Sequence, residues 1–68
     1  MFKIDAKGLS CPEPVILTMN AVKAGNKEIE VQVSGRVPAE NVTRYAKGQG
    51  FNVLEKIDND ITILTLTK

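Results

Sequence analysis

Sixty-eight residues make one domain at most, and a chain of this size buries only about 60% of the surface its unfolded form exposes. With a single cysteine and no histidine, neither an internal disulfide nor a histidine-rich metal site can staple it, and Ser-His-Asp, Cys-His and CxxC chemistries are excluded. Nine basic against eight acidic residues give a net charge of +1, too weak a field for direct nucleic acid binding or for holding an anionic membrane.

The start Met1-Phe2-Lys3-Ile4-Asp5 has no apolar core of signal-peptide length, and no apolar run approaches the roughly 20 residues of a membrane span. A lone free cysteine suits a reducing compartment, so a cytoplasmic protein, not embedded in a membrane, is expected. Phe2, Ile4 and Ala6 alternate with Lys3, Asp5 and Lys7 until Gly8 interrupts, which predicts a short half-buried strand ending just before Cys11. From Pro12 to about Ala24, Val15, Ile16, Met19 and Val22 recur at helical spacing, with Leu17, Ala21 and Ala24 widening the stripe and Gly25-Asn26 supplying a stop.

Glu28 to Ser34 sets Ile29, Val31 and Val33 against Glu30, Gln32 and Ser34, the clearest strand pattern in the chain. Pro38 suits a first helical turn, and Val42, Tyr45 and Ala46 form a stripe running to Gly48-Gln49-Gly50, which predicts a second helix over roughly 38 to 48. Tyr45, like Met19, reads as core packing. Phe51, Val53 and Ile57, then Ile61 to Leu66, flank Asp58-Asn59-Asp60 as a closing hairpin.

The order β-α-β-α-β-β, with right-handed crossovers, predicts a two-layer α/β sandwich with both helices on one face of the sheet. The whole of residues 1–68 is read as one domain. Ile61 and Ile63 point one way along the last strand while Leu64 and Leu66 point the other. That pattern fits a central strand, or a weak self-association or partner contact through the open face.

The chemistry is expected where the first strand meets the first helix. If the first two strands run parallel, both helices begin at the edge formed by their C-terminal ends, the edge α/β sheets use for ligands. Cys11 falls there, where free N–H groups and the macrodipole favour an anion such as a thiolate. A helix N-terminus can lower a thiol pKa without any histidine. Pro12 fits the first helical position and Pro14 the first turn, so two prolines stiffen the presentation of the sulfur. Glu13 is favourable at a helix start but would oppose the thiolate if it faced it, so it is expected to point away or toward a partner. Arg36 and Lys7 are the cations able to approach this edge for an anion or a partner protein, against a plain role as solvated surface charges.

The run Ile4-Asp5-Ala6-Lys7-Gly8-Leu9-Ser10-Cys11-Pro12-Glu13-Pro14-Val15 resembles the opening of the TusA/SirA family of sulfur carriers, with its CPxP motif. Glu40-Asn41-Val42, Tyr45-Ala46 and Gly50-Phe51-Asn52-Val53 resemble its second helix and third strand, closest in flavour to the TusA-like domain of YedF-type proteins. The resemblance implies a mixed four-stranded sheet and a sulfurtransferase relay: Cys11 takes sulfur as a persulfide and passes it to an acceptor protein. It also implies a cysteine desulfurase or a rhodanese as donor, and no cofactor beyond the transient sulfur on Cys11. Family members often carry an acidic residue and a proline after the second strand, whereas this chain reads Ser34-Gly35-Arg36-Val37-Pro38. That departure makes an anionic donor such as thiosulfate, or a different docking protein, worth considering. A selenium carrier of the same fold and a non-catalytic interaction or regulatory module are the alternatives the sequence leaves open.

Overall fold

Alternation along the second strand turns Ile29, Val31 and Val33 to one face, and the architecture is built on burying them. The computed structural model of the protein describes residues 1–10 and 12–68. Its elements are β1 (Phe2–Ala6), α1 (Glu13–Lys23), β2 (Glu28–Ser34), α2 (Arg36–Gly48), β3 (Asn52–Asp58) and β4 (Ile61–Thr67). The strands form one mixed sheet in the order β1-β2-β4-β3. β1 is parallel to β2, whereas β4 is antiparallel to both β2 and β3. The first three strands therefore point one way, and β4 is inserted between two of them as a central strand.

Register then sorts the residues into two faces. Ile4, Val31 and Leu64 share one row, Ile29 and Leu66 another, and all five are buried with Ala6 and Val33. Ala21 of α1 and Ala39, Val42 and Ala46 of α2 complete this core. Both helices touch the sheet and each other, so they form one layer over that face. The opposite face carries the rows Asp5, Gln32, Ile63, Lys56 and Lys3, Glu30, Thr65, Leu54. The two-layer α/β sandwich read from the sequence is the one observed.

Three local expectations shift. α1 begins at Glu13, with Pro12 as its N-cap instead of its first residue, because the Pro12 carbonyl accepts the first intrahelical bond, from the Ile16 N–H at 3.0 Å. Its buried face centres on Pro14, Thr18 and Ala21, leaving Ile16 and Leu17 exposed. A polar residue can face the core here because the Thr18 hydroxyl donates to the Pro14 carbonyl at 2.8 Å. α2 begins two residues early, at Arg36. Gly35, at φ 95 and ψ 172, adopts a conformation open only to glycine and lets the helix start directly after β2. Pro38 still falls in the first turn, where no hydrogen bond is lost. Finally, Asp58 belongs to β3, and the hairpin loop is Asn59-Asp60, with Asn59 at φ 57, a left-handed position asparagine tolerates well.

Leu64→Ala is expected to cost about 2–5 kcal/mol, and Ile63→Ala, its neighbour on the open face, about 1 kcal/mol or less. Urea midpoints at unchanged m-value measure both; equal losses would mean that the open face is also covered.

Candidate functional site

After Ala6 the chain has to turn from the end of β1 toward the start of α1. It does so tightly: the Leu9 N–H donates to the Ala6 carbonyl at 3.3 Å, which requires Gly8 at φ 80. The Gly8 N–H donates to Ser34 Oγ at 3.1 Å, tying this loop to the last residue of β2. Leu9 packs against the core. On the far side, the Glu13 N–H donates to the Ser10 carbonyl at 3.0 Å, and Pro14 is fully buried. Cys11 lies outside the described residues; the bond from Glu13 to Ser10 ties together the segments before and after it.

Backbone donors at this helix start are scarce. Pro14 has no N–H and that of Glu13 is bonded to Ser10, so neither of the first two helical residues has one to offer an anion. The macrodipole at this end of α1 therefore acts largely through aligned peptides and less through direct hydrogen bonds. Glu13 is exposed at the first helical position, favourable to the helix and accessible to another molecule.

The two cations singled out in the sequence are placed apart. Lys7 Nζ donates to Gln32 Oε1 at 3.0 Å and lies 3.5 Å from Asp5 Oδ1, so its ammonium sits on the open face of the sheet, away from the helix layer. Gln32 in turn donates to Glu30 Oε2 at 3.3 Å, a polar row that holds Lys7 in place. Arg36 is the exposed first residue of α2, and its guanidinium forms no hydrogen bond or ion pair with a described residue.

Two grooves flank the first turn of α2. The smaller, about 390 Å³, runs between Gly8, Leu9 and Ser10 on one side and Ser34, Val37 and Pro38 on the other. The larger, about 670 Å³, lies between that turn and the β3–β4 hairpin, with Arg36, Glu40, Glu55, Ile57 and Asp60 in its walls. Carboxylates thus outnumber the arginine there. The smaller groove adjoins the residues before Cys11, and its apolar wall is Leu9, Val37 and Pro38. Ser34 borders both grooves; nothing in its alternating strand pattern distinguishes it, and its role as the tie to Gly8 emerges only from the parallel pairing of β1 and β2.

No described helix is long and apolar enough to cross a membrane. The sequence model of the TusA family, described as Sulfurtransferase TusA, matches residues 2–68. YrkI of Bacillus subtilis, provisionally named a sulfur carrier protein, is 34% identical over 58 residues, covering 81% of this chain and 76% of its own. A protein of Methanocaldococcus jannaschii with the same provisional name is 36% identical over 56 residues, covering 79% and 75%. The crystal structure of a SirA-like protein from Desulfitobacterium hafniense superposes with a TM-score of 0.86 at 30% identity, over 97% of this chain and 95% of that one. Similarity in sequence and in fold thus spans both helices and all four strands, and the chain belongs to the TusA family of sulfur carriers.

Proposed function

We propose that Cys11 carries sulfane sulfur as a persulfide from a donor protein to an acceptor protein, in the cytoplasm. The observation that supports this reading best, in a chain of this family, is the anchoring of the segments on either side of Cys11 at one sheet edge: Gly8 bonded to Ser34 before it, and Pro12 capping α1 with Pro14 buried after it.

The transfer needs only a thiolate. The Cys11 sulfur attacks the terminal sulfur of a donor persulfide; one S–S bond forms on Cys11 as the donor's breaks, and the donor cysteine leaves as a thiolate. A nucleophile on the acceptor then attacks the same terminal sulfur, and Cys11 leaves as a thiolate. The exchange is balanced, with no external oxidant and no general base, which is consistent with a chain that has no histidine. A cysteine desulfurase or a rhodanese supplies the kind of persulfide this step takes. Pro12 and Pro14 position the thiol, and Glu13 and Arg36 are the exposed charges that a docking protein meets first. The apolar groove between the loop and α2 gives that protein a surface beside the residues that precede Cys11.

Incubation with a cysteine desulfurase plus cysteine, or with a rhodanese plus thiosulfate, is expected to add one sulfur atom, removable by reductant, to the intact mass of the protein but not of Cys11→Ser. Absence of the adduct with both donors, on protein shown to be folded, would remove the reading. Ser34→Ala is expected to change stability by no more than about 0.5 kcal/mol while speeding hydrogen exchange at the Gly8 amide and slowing sulfur loading. Unchanged exchange and loading would show that the loop does not depend on this bond.

A further inference from the structure

β3 forms one edge of the sheet, and its backbone has pairing capacity that the fold leaves unused. The two-residue loop closes on the pair Asp58–Ile61, which makes that pair hydrogen-bonded and sets the parity of the strand. Asn52, Leu54, Lys56 and Asp58 therefore direct their N–H and C=O groups at β4, while Val53, Glu55 and Ile57 direct theirs outward. Long exposed edges of this kind are templates for another strand. Leu54 and Ile57 on the same strand are 70% and 63% exposed, Leu54 more than any other large apolar residue described.

We propose that this edge pairs with the β3 edge of a second copy of the chain, antiparallel, about a two-fold axis passing between the two Leu54 residues, so that two sheets become one. A two-fold perpendicular to the sheet keeps every residue on its own face, so the register has to centre on a single residue. Centred on Glu55 it sets the two glutamates directly opposite, and centred on Lys56 the two lysines; like charges in that position are destabilising. Registers centred nearer either end shorten the ladder. Centred on Leu54, the two leucines meet on the open face, and Val53 and Glu55 of opposite copies exchange both backbone bonds.

The same register sets Ile57 opposite Phe51 of the second copy. The Phe51 N–H already donates to the Ala46 carbonyl at 3.0 Å, but its carbonyl is free to accept from Ile57. The exposed Ile57 side chain gains an aromatic neighbour. Lys68, whose Nζ lies 5.3 Å from the centre of the Phe51 ring, brings positive charge to the side of the interface where Glu55 of the other copy stands. Glu55 and Lys56, the usual guards of an edge strand, here select among registers.

The pairing makes no use of Cys11 and is tested apart from sulfur transfer. Sedimentation velocity up to about 1 mM, the weak end of specific association, is expected to show a mass rising from that of one chain toward that of two, and Leu54→Lys is expected to hold it at one. Wild type that stays at one chain throughout, or Leu54→Lys that associates equally, overturns the proposal. In a Cys11→Ser background, Leu54→Cys is expected to form a disulfide-linked dimer on mild oxidation, because opposed residues of a non-hydrogen-bonded pair have Cα atoms about 4.5 Å apart, within disulfide reach. Lys56→Cys, on the same face and also exposed, stands about 13 Å from its counterpart and is expected to remain free. Equal cross-linking of the two variants, or none by Leu54→Cys, overturns the register. Leu54 contributes little to the core, so these variants fold, as circular dichroism verifies.

Discussion

The pairing of β2 with β4 is the interaction on which the molecule depends. Ile29, Val31 and Val33 lie opposite Leu66, Leu64 and Thr62, and the five aliphatic residues among them have no solvent exposure. Each such side chain contributes roughly 1.5–3 kcal/mol by leaving water, a large share in a chain with no internal disulfide and a net stability of about a tenth of a kilocalorie per mole per residue. These two strands are the middle of the sheet, and the helices only have a surface to sit on because the strands present one. The small residues Ala21, Ala39 and Ala46 bring both helices close to it.

What holds the core also positions the loop that leaves β1. The parallel pairing of β1 and β2 sets Ala6 beside Val33, so the chain leaving β1 passes the end of β2 within reach of Ser34. The loop is thereby fastened to a central strand of the sheet by one backbone-to-hydroxyl bond. On the other side, α1 is seated by Pro14 and Thr18 in its first two turns. Proline at the second helical position serves two ends at once: it fills core volume and fixes φ close to the N-cap. Replacing it with a more flexible residue would loosen packing and presentation together.

The alternating strands were legible because their burial is one-sided, and one-sided burial leaves a period of two in the residues themselves. β2 is placed to the residue by that signal alone. The helices were legible in number but shifted in detail, for reasons a periodicity cannot contain. The face of α1 turns on Thr18, which reads as polar until its hydroxyl is seen to be satisfied by Pro14. The start of α2 turns on Gly35, whose φ of 95 is a backbone property that composition only permits. Cys11 could be singled out because an isolated thiol before a proline-bearing helix start is chemically unusual, and the family motif sharpened that choice. Lys7 and Arg36 carried no such signal. Their positions depend on which way a strand faces and where a helix begins, and the first is held by Gln32 on the open face while the second stands in a groove with Glu40, Glu55 and Asp60.

The strand order also bears on how a carrier could associate without obstructing itself. β1, which leads into the Cys11 loop, and β3 are opposite edges of the sheet. A two-fold pairing through β3 lengthens the sheet away from β1, so the loop, the N-terminus of α1 and the groove beside them stay open in both copies. The axis also reverses the strand direction, so the two Cys11 edges face opposite ends of the assembly. One docked protein could then engage only one loop, and each copy would load and discharge independently. For a domain proposed to act by a single thiol exchange, selectivity has to come from what its surface admits. An interface that spares that surface adds buried apolar area, which a small core lacks, without competing with transfer.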